Sequence, residues 1–315
     1  MERLRLGSQA KAVGRHAAVA VGNFDGVHRG HQALVRAAVA SARAAGGAAV
    51  VLTFDPHPAA VLRGQEAPAP LTTLAQKEEL AAALGIDRLV ALEFDAAVAA
   101  LAPDAFARDV LAGALGAHHV VVGESFRFGR DRSGDARGLE VLGSWLSFSV
   151  EVVPQVLHAG RPVSSSRVRE ALAAGDVREA EALLGRPYAL DAQVVRGDGR
   201  GRGLGFPTAN LASEPQLLPE RGVYAGRCRL ASGEAWPAVV NVGERPTFGG
   251  TGVVVEAHLI GFAGDLYGAR VRLDFHERLR AEMRFETPAA LVARIHEDVR
   301  EARTLLLPPA AGRKV

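Results

Sequence analysis

The chain has one cysteine in 315 residues, Cys228. A single thiol cannot close an intrachain disulfide or supply a cysteine-built zinc site, and a chain without disulfides suits a reducing compartment. An excess of charge is also missing, since 37 lysines and arginines against 35 aspartates and glutamates leave a formal +2. No overall field therefore recruits nucleic acid or an anionic membrane, and an anionic ligand has to be held by local groups. No apolar run approaches the roughly 20 residues of a membrane span, and the short run near the N-terminus falls well below a signal-peptide core. A cytoplasmic chain with neither membrane nor nucleic-acid partners is expected.

What is present is the balance of an ordinary globular protein, with 48% hydrophobic and 23% charged residues. The length exceeds that of a usual single domain, so two are expected. From residue 17 to about 153, short apolar runs alternate with amphipathic stretches. AAVAVGNF (17–24) predicts a buried strand, HQALVRAAVASARAAG (31–46) a helix and AAVVLTF (48–54) the next strand. The alternation continues through helices at 75–85 and 103–116 and strands at 87–94, 118–124 and 150–156. Strands separated by helices make a parallel sheet covered on both faces, with ligands beyond the carboxyl ends of the strands.

Two short helices follow, SRVREALAAG and DVREAEALLG, each ended by a glycine suited to a left-handed cap. They place a boundary at Arg186-Pro187, giving domains of 1–186 and 187–315. Beyond it YALDAQVVR, GVYAGRCRL, AWPAVVNVG, VVVEAHLIG and ARVRLDF are short, partly alternating and separated by glycine-rich turns. That pattern predicts an antiparallel barrel or sandwich, closed by a helix over 287–306.

The stretch GNFDGVHRGHQ (22–32) leaves a buried strand and enters a helix, where free backbone N–H groups and the helix dipole attract a phosphate. It matches neither the dinucleotide fingerprint nor the Walker A loop. In their place stands H-x-G-H, namely His28, Gly30 and His31. Two imidazoles at a helix entry can stabilise charge that builds on a phosphorus during displacement. Surface histidines or a metal pair are the competing readings, although a metal pair wants a third ligand. TFDPHP (53–58) follows the next strand at the same sheet edge, and VSSSRVR (163–169) opens a helix with three hydroxyls and two guanidinium groups. Those groups suit nucleotide phosphates; helix capping by Ser165 and a turn decorated by His57 are the plainer alternatives.

In the second half, VVRGDGRGRGLGFPTANL (194–211) carries five glycines between 197 and 205, whose backbone N–H groups can wrap phosphates. Thr208 and Asn210, two residues apart on an extended segment, share a face, as a magnesium on ATP phosphates requires. No aromatic interleaves the glycines and arginines, which argues against RNA binding. Glu256 stands within the apolar run VVVEAHLI, a costly place for an acid without work or a partner; a buried salt bridge is the alternative.

GNFDGVHRGHQ, TFDPHP, LTTLAQKEEL, VVGESFRFG and VSSSRVREALAAGDVREAEALLGRPY, taken in this order, resemble the N-terminal module of the bacterial bifunctional riboflavin kinase/FAD synthetase family. GLGFPTAN, NVGERPTFGG and VVVEAHL resemble its kinase module. The resemblance implies an α/β nucleotidylyltransferase (Rossmann-like) parallel-sheet domain followed by an antiparallel β-barrel riboflavin kinase domain with a C-terminal helix. It implies attack of an FMN phosphate on the α-phosphorus of ATP, with His28 and His31 stabilising that phosphate. Gly22, Phe24, Gly30, Ser164, Ser165 and Arg167 are then expected at ATP, and Phe54, His57, Pro58 and Ser125 at flavin or nucleotide. Ser125 departs from the family's usual Asp or Asn, and a contact there is lost or passes to water.

In the kinase module the resemblance implies transfer of the γ-phosphoryl group of ATP to the ribityl 5′-hydroxyl, with Glu256 as base. Gly203, Gly205, Thr208 and Asn210 are expected at ATP and metal, the last two as metal ligands. Arg280, Glu282 and Phe285 of LRAEMRFET are expected beside the flavin, an exposed helix entry being the other explanation of those charges. Magnesium is the expected ion, with ATP, riboflavin and FMN as substrates and a monomer or weak homo-oligomer as the assembly. Two rival readings are a kinase alone, with Ser125 marking a decayed first site, and a flavin or RNA sensor without turnover.

Overall fold

The computed structural model describes residues 1–7, 16–63, 67–197, 200–203, 205–247 and 250–307. The chain divides into two compact units, Met1–Ser165 and Ser166–Val315.

The first unit is built on strands β1 (Glu2–Leu6), β2 (Ala17–Val21), β3 (Ala48–Phe54), β4 (Arg88–Leu92), β5 (Ala117–Gly123) and β6 (Ser149–Val153). They form one sheet in the order β1-β4-β3-β2-β5-β6, parallel at every pairing. All five residues of β2 are buried, as a strand covered on both faces demands. Ala17, Val19 and Val21 pack on one side with Phe106, Leu111 and Leu139. Ala18 and Ala20 pack on the other against Leu34, Val35, Ala38 and Ala42, the buried stripe of helix α1 (Arg29–Ala45). The spacing of that stripe is the helical period read from the sequence. Helix α2 (Leu74–Ala83) adds Ala81 to the same side, and α3 (Ala136–Leu146) adds Leu139 to the opposite one.

The predicted strands are found within a few residues of their expected limits. β1 is the exception: ERLRL has no apolar run because it lies at the sheet edge, where its charges reach Glu78 and Arg88. The helix predicted over 103–116 is a short turn followed by a wider π-helical stretch, Phe106–Ala114.

The second unit takes in helices α4 (Ser165–Ala173) and α5 (Val177–Leu184), capped by Gly175 and Gly185 in left-handed conformation. Helix α5 packs on two barrel strands, Tyr188–Val195 and Arg270–Arg280. The barrel strands are β7 (Tyr188–Val195), β8 (Ala209–Ser213), β9 (Gly222–Leu230), β10 (Ala235–Thr247), β11 (Gly250–Leu259) and β12 (Arg270–Arg280). They close in the order β7-β8-β11-β10-β9-β12, antiparallel throughout.

Opposed pairs Tyr188 and Phe275, Leu211 and Val255, and Val240 and Ala257 are all buried. The lumen is packed with side chains, as expected of a barrel this small. Helix α6 (Pro288–Leu306) packs outside, with Ala302 and Leu306 against Ala225 and Ile260.

Candidate active sites

In the first unit β2 lies between β3 and β5, and the strand order reverses between β2 and β5. The segments after these three strands therefore emerge together at the carboxyl edge, at the switch point where α/β sheets bind ligands. They carry Gly22–His31, His57 with Pro58, and Ser125.

The first segment is held under strain. Phe24 and Val27 have φ of 47° and 41°, next to Gly26 at 83°, a conformation that side chains adopt only when their surroundings enforce it. The enforcement is visible. Phe24, Asp25 and Val27 are buried, the Asp25 carboxylate accepts from the Leu71 and Thr72 N–H groups at 2.9 and 3.2 Å, and the Gly26 N–H donates to the Thr72 hydroxyl at 2.9 Å. The Ser165 hydroxyl donates to the Asp25 carbonyl at 2.9 Å, and Thr53 donates to the Asn23 carbonyl at 3.0 Å. Gly22 lies against the Phe24 ring.

His28 is the N-cap of α1, its Nδ1 accepting from the His31 N–H at 3.3 Å. That leaves Nε2 to carry the ring proton. The two rings stack at 3.7 Å. A Cβ on Gly30 would lie 3.1 Å from the His28 ring, so the glycine lets the imidazole sit flat on the helix entry. Nδ1 of His31 is sealed from solvent with no hydrogen-bond partner. Burial first, and then the neighbouring His28 and Lys77, hold the His31 imidazole well below the usual histidine range. His31 is therefore neutral at physiological pH. Lys77, buried on α2, received no role from the sequence; its place three residues after Leu74, on the face turned to α1, is the signal that reveals it.

Other expected residues are more ordinary. His57 accepts from the Ala59 N–H at 3.1 Å and so caps the short helix Pro58–Arg63, while Phe54 meets Phe94 edge-on. Ser125 is exposed in a turn closed by the Phe126 N–H on Gly123. Ser164 and Ser165 end this unit. Arg167 falls in the second unit, where it is buried and donates to Glu179 of α5 at 2.5 Å.

The second unit holds a cavity of about 410 Å³, the size of a small-molecule site. Thr208, Asn210, Glu256, Arg280, Glu282 and Phe285 all line it, together with Leu291, Ile295 and Asp298 of α6. The lumen is filled by side chains, and this cavity lies on the outer wall beneath α6. Glu256 is accordingly not embedded among its apolar neighbours. Val255 and Ala257 turn inward and are buried, while Glu256 between them is half-buried and faces the cavity. Asn210 stands directly opposite Glu256 on β8, and Asn241 directly opposite it on β10. Asn241, which sequence reasoning missed, thus completes a row across three strands.

The glycine loop differs in detail from expectation. Gly203 and Gly205 have open space around them, although the φ of 85° at Gly205 needs a glycine. Gly201 and Gly197 make the close approach instead. A Cβ there would lie 2.3 Å from the Phe206 carbonyl and 2.1 Å from the Asn210 amide. Gly199, and Phe248 and Gly249 of NVGERPTFGG, lie outside the described residues.

Two family models match this chain, FAD synthetase over residues 10–167 and riboflavin kinase over 184–306. The bifunctional riboflavin kinase/FMN adenylyltransferase of Pseudomonas fluorescens is 41% identical over 291 residues, 92% of this chain and 93% of that one. The chain belongs to the bifunctional riboflavin kinase/FMN adenylyltransferase family. Its relative of that name in Escherichia coli K12 is 38% identical over 283 residues, 90% of each chain. A solved structure described as a macrolide-efflux protein from Streptococcus pneumoniae shares the fold, with a TM-score of 0.88 and 30% identity over 96% of this chain and 99% of that one. No helix among the described residues is long and apolar enough to cross a membrane.

In this family member the segment after β12 is no exposed helix entry at Arg280. Arg280 ends the strand, 13% exposed, and grips the buried Asp298 of α6 through Nε at 3.1 Å and Nη2 at 2.8 Å. Arg294 adds a bond to the same carboxylate at 3.0 Å, and the Phe285 ring lies 5.8 Å from the Arg280 guanidinium. Asp298→Ala strands two guanidinium groups and is expected to lower stability by about 3 kcal/mol in urea unfolding; a loss under about 1 kcal/mol would mean that solvent screens the pair.

Proposed function

We infer that this chain phosphorylates riboflavin to FMN on its barrel and then adenylylates FMN to FAD on its sheet domain. The observation that carries the reading is that each family-matched half gathers its own polar groups: stacked imidazoles at a helix entry in one, an acid beside Thr208 and Asn210 on a cavity wall in the other. The work divides between residues 1–186 and 187–315, in the cytoplasm, by a monomer or weak homo-oligomer without nucleic-acid partners.

In the adenylyl step an FMN phosphate oxygen attacks the α-phosphorus of ATP, the bond to the bridging oxygen breaks and pyrophosphate leaves. His28 and neutral His31 donate hydrogen bonds to the α-phosphate oxygens as charge builds there. The helix N–H groups near Gly30 and the hydroxyls of Ser164 and Ser165 hold the remaining phosphates. Gly22, Phe24, Phe54, His57, Pro58 and Ser125 surround the nucleotide and flavin.

In the kinase step Glu256 takes the proton of the ribityl 5′-hydroxyl as its oxygen attacks the γ-phosphorus, and ADP leaves. Thr208 and Asn210 suit magnesium: both offer hard oxygen ligands on one face, the glycine loop fits against them where a Cβ would collide, and neither has a side-chain partner among the described residues. No group of three or more His, Cys, Asp or Glu among those residues could hold a metal unaided, which agrees with an ion that arrives on ATP. Held by Thr208 and Asn210, magnesium would supply positive charge against the phosphates. Gly203 and Gly205 let the loop follow the nucleotide, and Arg280, Glu282 and Phe285 border the flavin ring.

The test is to incubate purified protein with riboflavin, ATP and magnesium and separate the flavins over time. FMN followed by FAD supports the reading, FMN alone reduces it to a kinase, and binding without ATP consumption replaces it with a sensor. Ser125→Asn in its exposed turn is expected to leave the FAD rate unchanged or raise it; a fall of tenfold or more would show that the serine itself is required.

A further inference from the structure

Five polar side chains face the outer-wall cavity without a hydrogen-bond or ion-pair partner among the described residues: Thr208, Asn210, Glu256, Glu282 and Asn241. The first four have tasks in the kinase reading. Asn241 has none, yet it is half-buried, and an amide in that position loses hydration with nothing to replace it until a ligand arrives. We propose that Asn241 is a substrate-binding residue of the kinase site, which hydrogen-bonds the secondary hydroxyls of the ribityl chain and makes the site selective for them. The proposal rests on the kinase reading of this cavity.

The strand register supplies the ruler. Asn210, Glu256 and Asn241 are opposed on successive strands β8, β11 and β10, and Val223 of β9 is opposed to Asn241 on one side and to Arg280 of β12 on the other. All five line the cavity. Neighbouring strands lie about 5 Å apart, so the wall presents in sequence an oxygen ligand, a base, an amide, an apolar side chain and a guanidinium beside an aromatic ring. Riboflavin has the same order of chemistry along its length: the phosphate-accepting hydroxyl, the secondary hydroxyls, then the flat ring system.

With the terminal hydroxyl at Glu256, the next hydroxyls of the chain come level with Asn241, one strand away. The ring then lies over Val223 towards Phe285. An amide both donates and accepts, which matches a hydroxyl in either sense. A site built to pair with a hydroxyl rejects the analogue that lacks it, because its own polar group is then left unpaired.

The experiment measures kcat/KM of the full-length chain with ATP and magnesium for riboflavin, 4′-deoxyriboflavin and 3′-deoxyriboflavin. The native protein is expected to prefer riboflavin over at least one analogue by tenfold or more. Asn241→Ala should lose tenfold or more on riboflavin and bring the three flavins within about threefold of one another. Asn241→Ser, which keeps a shorter donor and acceptor, should fall between. The alanine breaks no hydrogen bond to a described residue, so its melting temperature should match the native one.

If the alanine variant keeps the native preference, or the native protein has none, Asn241 does not read the hydroxyls, while the kinase reading stands. If the native protein fails to phosphorylate riboflavin at all, the kinase reading itself fails and this proposal with it.

Discussion

Glu256→Gln is expected to lower FMN formation by about a hundredfold to ten-thousandfold, the range lost when a positioned general base is removed. Glutamine has the same size and keeps an acceptor, so the loss reports the missing proton acceptor and not a cavity. Glu256 has no ion pair to break among the described residues, and its neighbours Val255 and Ala257 face the packed lumen, so the fold should be untouched. Adenylylation of supplied FMN should continue at the native rate. A variant that is folded but silent in both steps would contradict separate sites.

His28→Ala is expected to cost FAD formation about a hundredfold to a thousandfold, the usual effect of deleting one donor aimed at transition-state charge, while FMN accumulates. His28 is also the N-cap of α1, and losing a cap costs about 1 kcal/mol. The two roles separate with His28→Asn, since asparagine caps well but cannot place a donor where the imidazole Nε2 lies. If the asparagine variant makes FAD at the native rate, the imidazole serves the helix and not the reaction.

Much of this was legible in the sequence because it depends on local pattern. β2 could be read from its apolar run, α1 from its period and Gly175 and Gly185 from their place after helices. What stayed hidden depends on partners distant in the chain. β1 is an edge strand whose alternate charges look like loop. Whether Glu256 faced a core or a cavity turned on which side of β11 meets the lumen, which the run VVVEAHLI alone leaves undecided. Arg280 looked like surface because Asp298, its counter-charge, lies 18 residues on. Asn241 was invisible for the same reason: only the pairing of β10 with β11 brings it level with Glu256.

A lumen filled by Tyr188, Tyr224 and Phe275 also separates the tolerances of this enzyme for change. Substitutions inside the staves spend stability away from the cavity, whereas Leu291 and Ile295 roof the cavity from a helix whose backbone bonds are all its own. On the proposed kinase reading, acceptance of bulkier flavin analogues is set at this roof and adjustable by shortening those two side chains, while phosphoryl chemistry stays with the wall.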